Sequence, residues 1–379
     1  MDQRSTHPTT TQTVRAQRSR RQRLRRGFVF AAVLLAFGVT GWLLPTVIGL
    51  ELGGATGLLA LTVSLLPVGI VMPLLLWLDA YEAEPPAMVM LAFLWGAVIA
   101  TGTALALNTG STLLLASATA DPDAVSAVLV APIVEESLKG AGLLFILFWR
   151  REEFDGIIDG IVYAGVIACG FAFAENILYL GRAFNENGTE GLVAVFVIRG
   201  LISPFAHPLF TGVTGVALGW SLHRGPLLRC IIPPLGLCAA MTLHAAWNLS
   251  SVTGAGGFWS AYLVFQMPIF AAFTAFAIWV RVRERGLIRS HLTVYADYGW
   301  ISPAEVRMLT SISERRTARS WAHTVGGREG KTAMRDFQDD AVELAMLRRR
   351  MTNGSAGPGA PAEERRLLEA MTAARAVLG

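Results

Sequence analysis

The sequence has few charged residues and few cysteines. Only 16% of its 379 residues are Asp, Glu, Lys or Arg, whereas a soluble domain carries roughly 25%. Its three cysteines, Cys169, Cys230 and Cys238, lack the spacing of a thiolate metal site, and their odd number is a poor basis for a disulfide framework. We interpret the cysteines as small apolar residues, and the shortage of charge argues against a soluble globular protein.

Several patterns and motifs are also missing. The sequence has no ten-residue segments of alternating polarity, which are typical of membrane β-barrels. It has no internal repeat, no HExxH metal motif and no Gly-x-Ser-x-Gly nucleophile motif. No cleavable signal is evident, because the basic segment before Phe28 leads into a long apolar segment without an Ala-x-Ala exit. The functional clues must therefore come from isolated polar residues.

Long apolar segments dominate the chain between Gly27 and Val280. Each is close to the roughly 20 residues that a helix needs to cross a bilayer. The sequence therefore predicts an all-α, polytopic transmembrane helix bundle of about eight spans, followed by a small helical cytoplasmic tail. The predicted spans are 28–50, 55–78, 87–107, 124–149, 156–180, 191–222, 227–249 and 257–280. Pro204 and Pro208 predict a kinked or broken helix in the sixth span.

Basic residues predict the orientation of the bundle. Arginines in the N-terminal tail and after spans four, six and eight fall on one side, whereas Arg182 is the only arginine on the other side. Because cytoplasmic flanks carry the excess of Lys and Arg, both termini are predicted to be cytoplasmic in a multi-pass cell-membrane protein. We read the net charge of +4 in the same way, rather than as a sign of nucleic-acid binding.

The chain divides into three predicted parts. Residues 1–26 form a basic tail with the composition of a disordered segment, residues 27–280 form the transmembrane domain, and residues 281–379 form the cytoplasmic tail. Within the cytoplasmic tail, Ser302 is predicted to cap a helix that starts at Pro303. Further amphipathic helices are predicted at 335–351 and 361–377, with a flexible linker over 354–361.

Three ionisable residues stand near the middle of the fourth predicted span. Such residues are costly at membrane depth and usually face a cavity or a partner. Glu135 and Lys139 share a helical face and are predicted to pair, whereas Glu136 points about 100° away from them. Two carboxylates beside one cation suggest unequal proton affinities, so that one could stay charged while the other acts as an acid or base. A buried structural ion pair and the proton relay of a transporter remain alternatives.

Other polar residues recur in the later spans. Glu175 could ligate a metal, position a water or lie at the membrane interface. His207 and His244 could be ligands or could form helix–helix hydrogen bonds. Asn248 follows His244 by four residues, so it could orient that histidine or hold a substrate backbone. Their depths along the spans are compatible with one cavity.

Two aspartates and an arginine are further ionisable residues of interest in or beside these spans. Asp155 and Asp159 are interpreted as a helix cap and a packing site, and Arg199 is a plausible partner for a membrane carboxylate.

Two histidines with carboxylates suit a zinc-like ion that keeps an open position for water. Such an ion would lower the pKa of the water and polarise a carbonyl group. A glutamate could then take the proton from the water and pass it to the leaving amine. Spacing and depth support a polar cavity inside the membrane but do not name its reaction.

Taken in order, the motifs resemble those of one known family. Glu-Glu-x-x-Lys at 135–139 is followed by Asp-Gly-Ile-x-x-Gly at 155–160, by Gly-Phe-Ala-x-x-Glu-Asn at 170–176, by a lone His at 207 and by His-x-x-x-Asn at 244–248. Each motif is short, but this order is similar to that of the PrsW intramembrane proteases, which are distant relatives of the CAAX prenyl endopeptidases. The resemblance covers roughly residues 60–280.

The resemblance implies a metal-dependent peptidase embedded in the membrane. Such a protein would act on membrane-anchored proteins, which in bacteria include anti-sigma factors. By this resemblance, the catalytic residues of the family would correspond to Glu135, Glu136, Lys139, Glu175 and Asn248. A divalent metal, most simply zinc, would be held by Glu175, His207 and His244. Glu175 stands where the CAAX relatives would have a histidine, and a mechanism that uses glutamate alone stays open.

Two other functions are compatible with the same residues. A proton-coupled transporter could use them as a relay, although carriers often contain inverted repeats that are missing here. A scaffold or signalling protein could bind partners through its cytoplasmic tail and use the membrane part only as an anchor. An anchor, however, does not require so many buried polar residues. The oligomeric state does not follow from the sequence.

Overall fold

A computed structural model of the chain describes residues 10–150, 154 and 156–378. Every regular element among these residues is a helix, which confirms the predicted all-α class. In the apolar part of the chain the helices are α1 (Thr10–Leu52), α2 (Gly54–Leu78), α3 (Pro86–Leu115), α4 (Ala131–Trp149), α5 (Ile157–Phe196), α6 (Ala206–Ser221), α7 (Pro226–Val252) and α8 (Gly254–Asp297). The polar C-terminal part contains α9 (Pro303–Leu309), α10 (Ile312–Thr352) and α11 (Ala360–Leu378).

Several helices are interrupted at defined residues. Gly188 has a φ of 62°, which breaks α5 inside the predicted loop between spans five and six. The chain is non-helical at 203–205, before α6 begins. Pro204 lies in this gap and Pro208 lies in the first turn of α6, where a missing N–H is tolerated. The predicted break in the sixth span is therefore confirmed.

Six segments are long and apolar enough to cross a membrane: Ala31–Leu52, Gly54–Leu78, Pro86–Leu115, Ile157–Ser221, Pro226–Val252 and Gly254–Asp297. The fourth of these has 65 residues and contains two of the predicted spans. Helix α4 is not among the six, since its 19 residues include three ionisable side chains. The chain is thus a multi-pass membrane protein, and the number of about eight spans stays a prediction.

Helix α5 forms the centre of the bundle and is buried on almost all faces between Ile158 and Phe171. Glycines allow its backbone to approach its neighbours closely. A Cβ atom added at Gly160 would lie 2.1 Å from the carbonyl oxygen of Gly215 on α6, and one added at Gly170 would lie 2.1 Å from that of Phe93 on α3. Contacts between backbones therefore set the spacing of α3, α5 and α6.

The C-terminal helices build a second apolar core together with the end of α8 and with Tyr81 from the segment between α2 and α3. Leu292, Leu309, Leu344 and Leu367 are fully buried in it. Ser302 caps α9 as predicted, because its hydroxyl accepts a hydrogen bond from the N–H of Glu305.

Two helices cross positions at which the sequence predicts domain boundaries, and these boundaries stay predictions. Helix α8 continues through the predicted domain boundary at 280, and α1 begins at Thr10, inside the segment predicted to be disordered.

Candidate active site

Glu136 is the most completely bonded group in the polar cluster. Its side chain is 0% exposed. Lys139 Nζ donates to Glu136 Oε1 at 2.8 Å, and the Thr211 hydroxyl donates to Oε2 at 2.9 Å. His244 Nδ1 lies 3.0 Å from Oε1. Three donors from α4, α6 and α7 therefore converge on one carboxylate, which joins these helices at the level of the cluster.

The predicted pairing of Lys139 with Glu135 is present, but Lys139 lies closer to Glu136. Lys139 Nζ lies 3.8 Å from Glu135 Oε2 but 2.8 Å from Glu136 Oε1, so its close partner is the residue three positions away. Residues at both i+3 and i+4 spacing are neighbours on a helix, and sequence spacing alone does not choose between them. Thr211 and His244 select Glu136, because they place two more donors on its side of the helix.

Glu135 is buried but incompletely bonded. Its Oε1 accepts a hydrogen bond from Asn108 Nδ2 at 3.2 Å. Its Oε2 is buried and has no hydrogen-bond partner among the described residues. Lys139 Nζ and His244 Nε2 lie near this oxygen, each at 3.8 Å. A buried oxygen without a partner is costly and is often explained by a reactive role or by an ion.

Glu175 belongs to a second set of contacts on α5. Glu175 Oε2 lies 3.0 Å from His207 Nε2 and also accepts a hydrogen bond from the Arg199 guanidinium. Arg199 Nε donates to Asn176 Oδ1 at 2.7 Å, so the prediction that Arg199 pairs with a membrane carboxylate is confirmed. The opposite ring nitrogen, His207 Nδ1, lies 3.2 Å from Lys139 Nζ.

Both histidines are held by a carboxylate on one side of the ring. Glu136 holds His244 through Nδ1, and Glu175 holds His207 through Nε2. This leaves His244 Nε2 facing Glu135 and His207 Nδ1 facing Lys139. Metal-binding histidines usually have their second nitrogen bonded to a carboxylate, a carbonyl or water in this manner.

The donor atoms fit a divalent metal. Glu135, His207 and His244 each offer one ligand atom within 4.8 Å of the others. Two imidazole nitrogens and one carboxylate oxygen form a typical donor set for zinc with an open position. This grouping differs from the ligand set expected from the resemblance, because Glu135 takes the place of Glu175.

Among the described residues, the hydrogen bond that Asn248 forms is directed to the start of α4 and not to His244. Its Nδ2 donates to the carbonyl oxygen of Ala127 at 2.7 Å. Ala127 lies in the π-helical turn Ser126–Val130, directly before α4. Asn248 therefore links α7 to the start of the helix that carries the two glutamates, and this link explains its polarity without a contact to the reacting groups.

Two residues of the site were missed by sequence reasoning. Thr211 follows His207 by four residues, and this spacing on one helical face was an available signal. Asn108 lies in a stretch of α3 that also contains several Thr and Ser residues, so it was a weaker signal. Asp159 caps α5, because its Oδ2 accepts from the N–H of Gly156 at 2.7 Å, whereas Asp155 lies outside the described residues.

Two cavities adjoin the cluster. A cavity of about 20 Å³ beside His207 is also lined by Asn176, Arg199 and Ser203, and it has room for roughly one water molecule. A larger apolar cavity of about 340 Å³ lies between α6, α7 and α8, with Phe210 among its lining residues. Trp247 lines both cavities, so the water-sized space and the apolar space are neighbours.

These features define a helical membrane protein with an ionisable site enclosed by its central helices. The family model of the PrsW family intramembrane metalloproteases matches residues 84–273, about half of the chain. The chain therefore belongs to the PrsW family. All the residues of the polar cluster, from Asn108 to His244, fall within the matched segment.

Curated relatives carry the same family name. Protease PrsW of Geobacillus kaustophilus is 34% identical over 141 residues, which are 37% of this chain and 57% of that protein. Protease PrsW of Oceanobacillus iheyensis is 38% identical over 87 residues, 23% of this chain and 36% of that protein. Protease PrsW of Bacillus subtilis is 27% identical over 218 residues, 56% of this chain and 87% of that protein. The first two alignments thus cover less than two thirds of the relatives' lengths. No solved structure gives a significant match.

Proposed function

We propose that the chain is an intramembrane peptidase that hydrolyses peptide bonds of membrane-anchored proteins. The observation that carries this proposal is a buried oxygen of Glu135 that has no hydrogen-bond partner in the described part of the chain and lies near two oriented histidines. A carboxylate oxygen in this position is able to accept the proton of an attacking water. Family membership supports hydrolysis, and neither the fold nor the relatives support the alternative of a proton-coupled carrier.

The charges of the cluster support the proposal. Glu135, Glu136 and Glu175 contribute three carboxylates, whereas Lys139 and Arg199 contribute two cations. If the histidines are left out of the count, the three carboxylates exceed the two cations by one negative charge, among side chains that are mostly buried. An unbalanced buried charge is expensive. A bound cation or a proton taken up during the reaction would balance it.

We assign different tasks to the three glutamates. Glu135 holds the proton that the water loses, because its Oε2 is the carboxylate oxygen of the cluster without a partner among the described residues. Glu136 and Glu175 are positioning residues, which fix the rings of His244 and His207 respectively. Lys139 balances the charge of Glu136 and lies 3.8 Å from Glu135, where it stabilises negative charge that develops beside that residue.

We propose zinc as the metal of the site, held by His207 and His244, with Glu135 beside it as the residue that takes the proton from the water. When bound, it would polarise the scissile carbonyl group and lower the pKa of a water. The set Glu175, His207 and His244 is the weaker alternative, because Glu175 is already engaged with Arg199.

A membrane-anchored segment is the substrate class that fits the surroundings. The apolar cavity between α6, α7 and α8 would accept an apolar stretch of chain, and the water-sized cavity at His207 would supply the second reactant. Both termini are proposed to be cytoplasmic, with the lipid bilayer around α1 to α8. Membrane-anchored anti-sigma factors are one candidate group of substrates.

The proposal is tested by comparing membranes from cells that express the wild-type chain or the Glu135→Gln variant. Mass spectrometry of newly formed protein N-termini should find cleavage sites within or next to membrane anchors, and these should be absent with Glu135→Gln. Glu186→Gln removes an exposed carboxylate and serves as the matched control, which should keep the cleavage pattern. Identical N-termini in wild type and Glu135→Gln would reject the peptidase. In that case, proton flux into liposomes that depends on Glu135 would favour the carrier.

A further inference from the structure

A third cavity, of about 540 Å³, lies between α4, α6 and α7. At one end it is lined by Phe148 from the last turn of α4, by Leu222 directly after α6 and by Arg229 from the first turn of α7. Among the described residues, its lining has no member in common with the two cavities beside the polar cluster. This cavity is therefore separate from the spaces assigned to water and substrate.

The cavity extends along the helices over about the depth of one lipid leaflet. From Phe148 to Ser137 it follows α4 for eleven residues, or about 16 Å. From Arg229 to Leu237 it follows α7 for eight residues, or about 12 Å. One leaflet of a bilayer core that is about 30 Å thick has a depth of about 15 Å. The length of the cavity thus suits one acyl chain.

Most of the cavity wall is apolar, and the wall is open on one side. Leu144 and Phe148 line the cavity from α4 and are 42% and 72% exposed. Pro233 and Pro234 line it from α7. Because the exposed side chains of α4 lie at the surface of the bundle, a chain in the surrounding lipid can enter the cavity sideways.

One end of the cavity carries a positive charge. Arg229 is the charged residue of its lining in the described part of the chain. The Arg229 guanidinium donates a hydrogen bond to the carbonyl oxygen of Leu222, which holds it beside the opening. A guanidinium has five N–H donors in a geometry that matches phosphate oxygens. Basic pockets between transmembrane helices bind the head groups of anionic lipids in this manner.

We propose that this cavity binds an anionic phospholipid, with one acyl chain between α4, α6 and α7 and the phosphate group on Arg229. A small anion would leave the apolar walls empty. A zwitterionic lipid brings its own ammonium group, which competes with Arg229 for the phosphate. The proposal does not rest on the peptidase activity, because none of the lining residues is assigned to the reaction.

The lipid would also have a structural task. Helix α4 carries Glu135, Glu136 and Lys139, and the same helix forms one wall of the cavity. An acyl chain in the cavity would fill the space between α4 and its neighbours α6 and α7. The bound lipid would thus support the helix that holds the two glutamates.

Native mass spectrometry tests the proposal on the full chain, purified in a non-ionic detergent and freed of lipid. The wild type should bind phosphatidylglycerol more tightly than phosphatidylcholine with the same acyl chains. Arg229→Gln should weaken the binding of phosphatidylglycerol by about tenfold, because a charge-assisted hydrogen bond is lost. Arg224→Gln is the matched control and should bind as the wild type does. Arg224 belongs to the same turn, but its guanidinium stacks on Trp220 at 4.6 Å and does not line the cavity.

A second pair of variants tests the apolar part of the cavity. Ala141→Phe places a ring into the cavity from α4 and should abolish the binding of phosphatidylglycerol, whether or not Arg229→Gln is stable. Ile133→Phe adds the same ring at an exposed position of α4 outside the cavity and should bind as the wild type does. Glycerol 3-phosphate, which is the head group without the chains, should not displace the lipid.

Four results would overturn the proposal. Equal affinity of the wild type for the two lipids would remove the role of the charge. Equal losses in Arg229→Gln and Arg224→Gln would indicate a general attraction to basic residues. Wild-type binding by a folded Ala141→Phe would place the lipid elsewhere. Displacement by glycerol 3-phosphate would indicate a site for phosphate alone.

Discussion

Glu135 and Glu136 are adjacent carboxylates. Replacing Glu136 by glutamine should strongly reduce stability, whereas replacing Glu135 by glutamine should mainly abolish activity. Glu136 accepts hydrogen bonds from Lys139, Thr211 and His244, and its side chain is 0% exposed. In Glu136→Gln, the Lys139 ammonium loses its charged partner at 2.8 Å and keeps the weaker contacts with His207 Nδ1 at 3.2 Å and Glu135 at 3.8 Å. Removing one member of a buried ion pair costs about 3–5 kcal/mol. We expect a loss of about 3 kcal/mol in the free energy of unfolding, since Glu135 compensates in part.

Glu135→Gln should cost much less. The amide oxygen still accepts the hydrogen bond from Asn108, and the amide nitrogen occupies the position of the oxygen that has no partner. Lys139 keeps its close contact with Glu136. The change in the free energy of unfolding should therefore stay within about 1 kcal/mol, the usual scale of a single hydrogen bond. Activity should nevertheless be lost, because the proton acceptor is gone.

The two variants can be compared by unfolding in mixed micelles with increasing amounts of SDS. Trp and Tyr fluorescence would report the transition, and Thr211→Val would show the effect of removing one donor to Glu136, an expected loss of about 1 kcal/mol. The assignment of the roles would be refuted if Glu135→Gln destabilised the protein as much as Glu136→Gln. It would also be refuted if Glu135→Gln retained cleavage while Glu136→Gln was well folded and inactive.

Three other expectations concern the metal, the packing and the C-terminal helices. Elemental analysis should find about one zinc per chain in the wild type and none in a folded His207→Ala/His244→Ala variant; retained zinc would contradict the ligand assignment. Gly215→Ala should lower the melting midpoint strongly, because the new Cβ meets the backbone of Gly160 at 2.0 Å, whereas Gly225→Ala, with no atom within 4 Å, should not. A chain that ends after α8 should still insert and fold in membranes, as judged by size-exclusion chromatography in detergent, and aggregation of this form would contradict a separable C-terminal part.

The sequence predicts the components of the site better than their connections. Ionisable residues inside apolar segments are informative because they are costly in lipid and therefore usually face the interior of the bundle. Glu135, Glu175 and His244 were proposed as site residues on this basis. Their partners depend on helix rotation and on helix spacing, which differ by small amounts of free energy. The choice of Lys139 between two glutamates was therefore not predictable, since it depends on donors that α6 and α7 contribute from far along the chain.

For the fold as well, local features were predictable from the sequence, whereas features that depend on distant parts of the chain were not. Apolar segments and the two prolines before and within α6 predicted helices and a break, because these follow from local chemistry. The number of crossings did not follow, since Ile157–Ser221 is one apolar stretch of 65 residues with internal breaks. The cavity at Arg229 was not recognised, because its walls come from three helices that only the folded bundle brings together.

The contact between Gly160 and Gly215 affects the position of His207, which lies further along α6. His207 lies eight residues before Gly215 on α6, or about 12 Å along the helix. A displacement of α6 at Gly215 would therefore also displace His207. A single methyl group in the contact would push the two helices apart and carry the His207 ring away from Glu175, whose oxygen is now 3.0 Å from it. The close approach of two glycines thus sets the distance between His207 and Glu175 in the proposed active site.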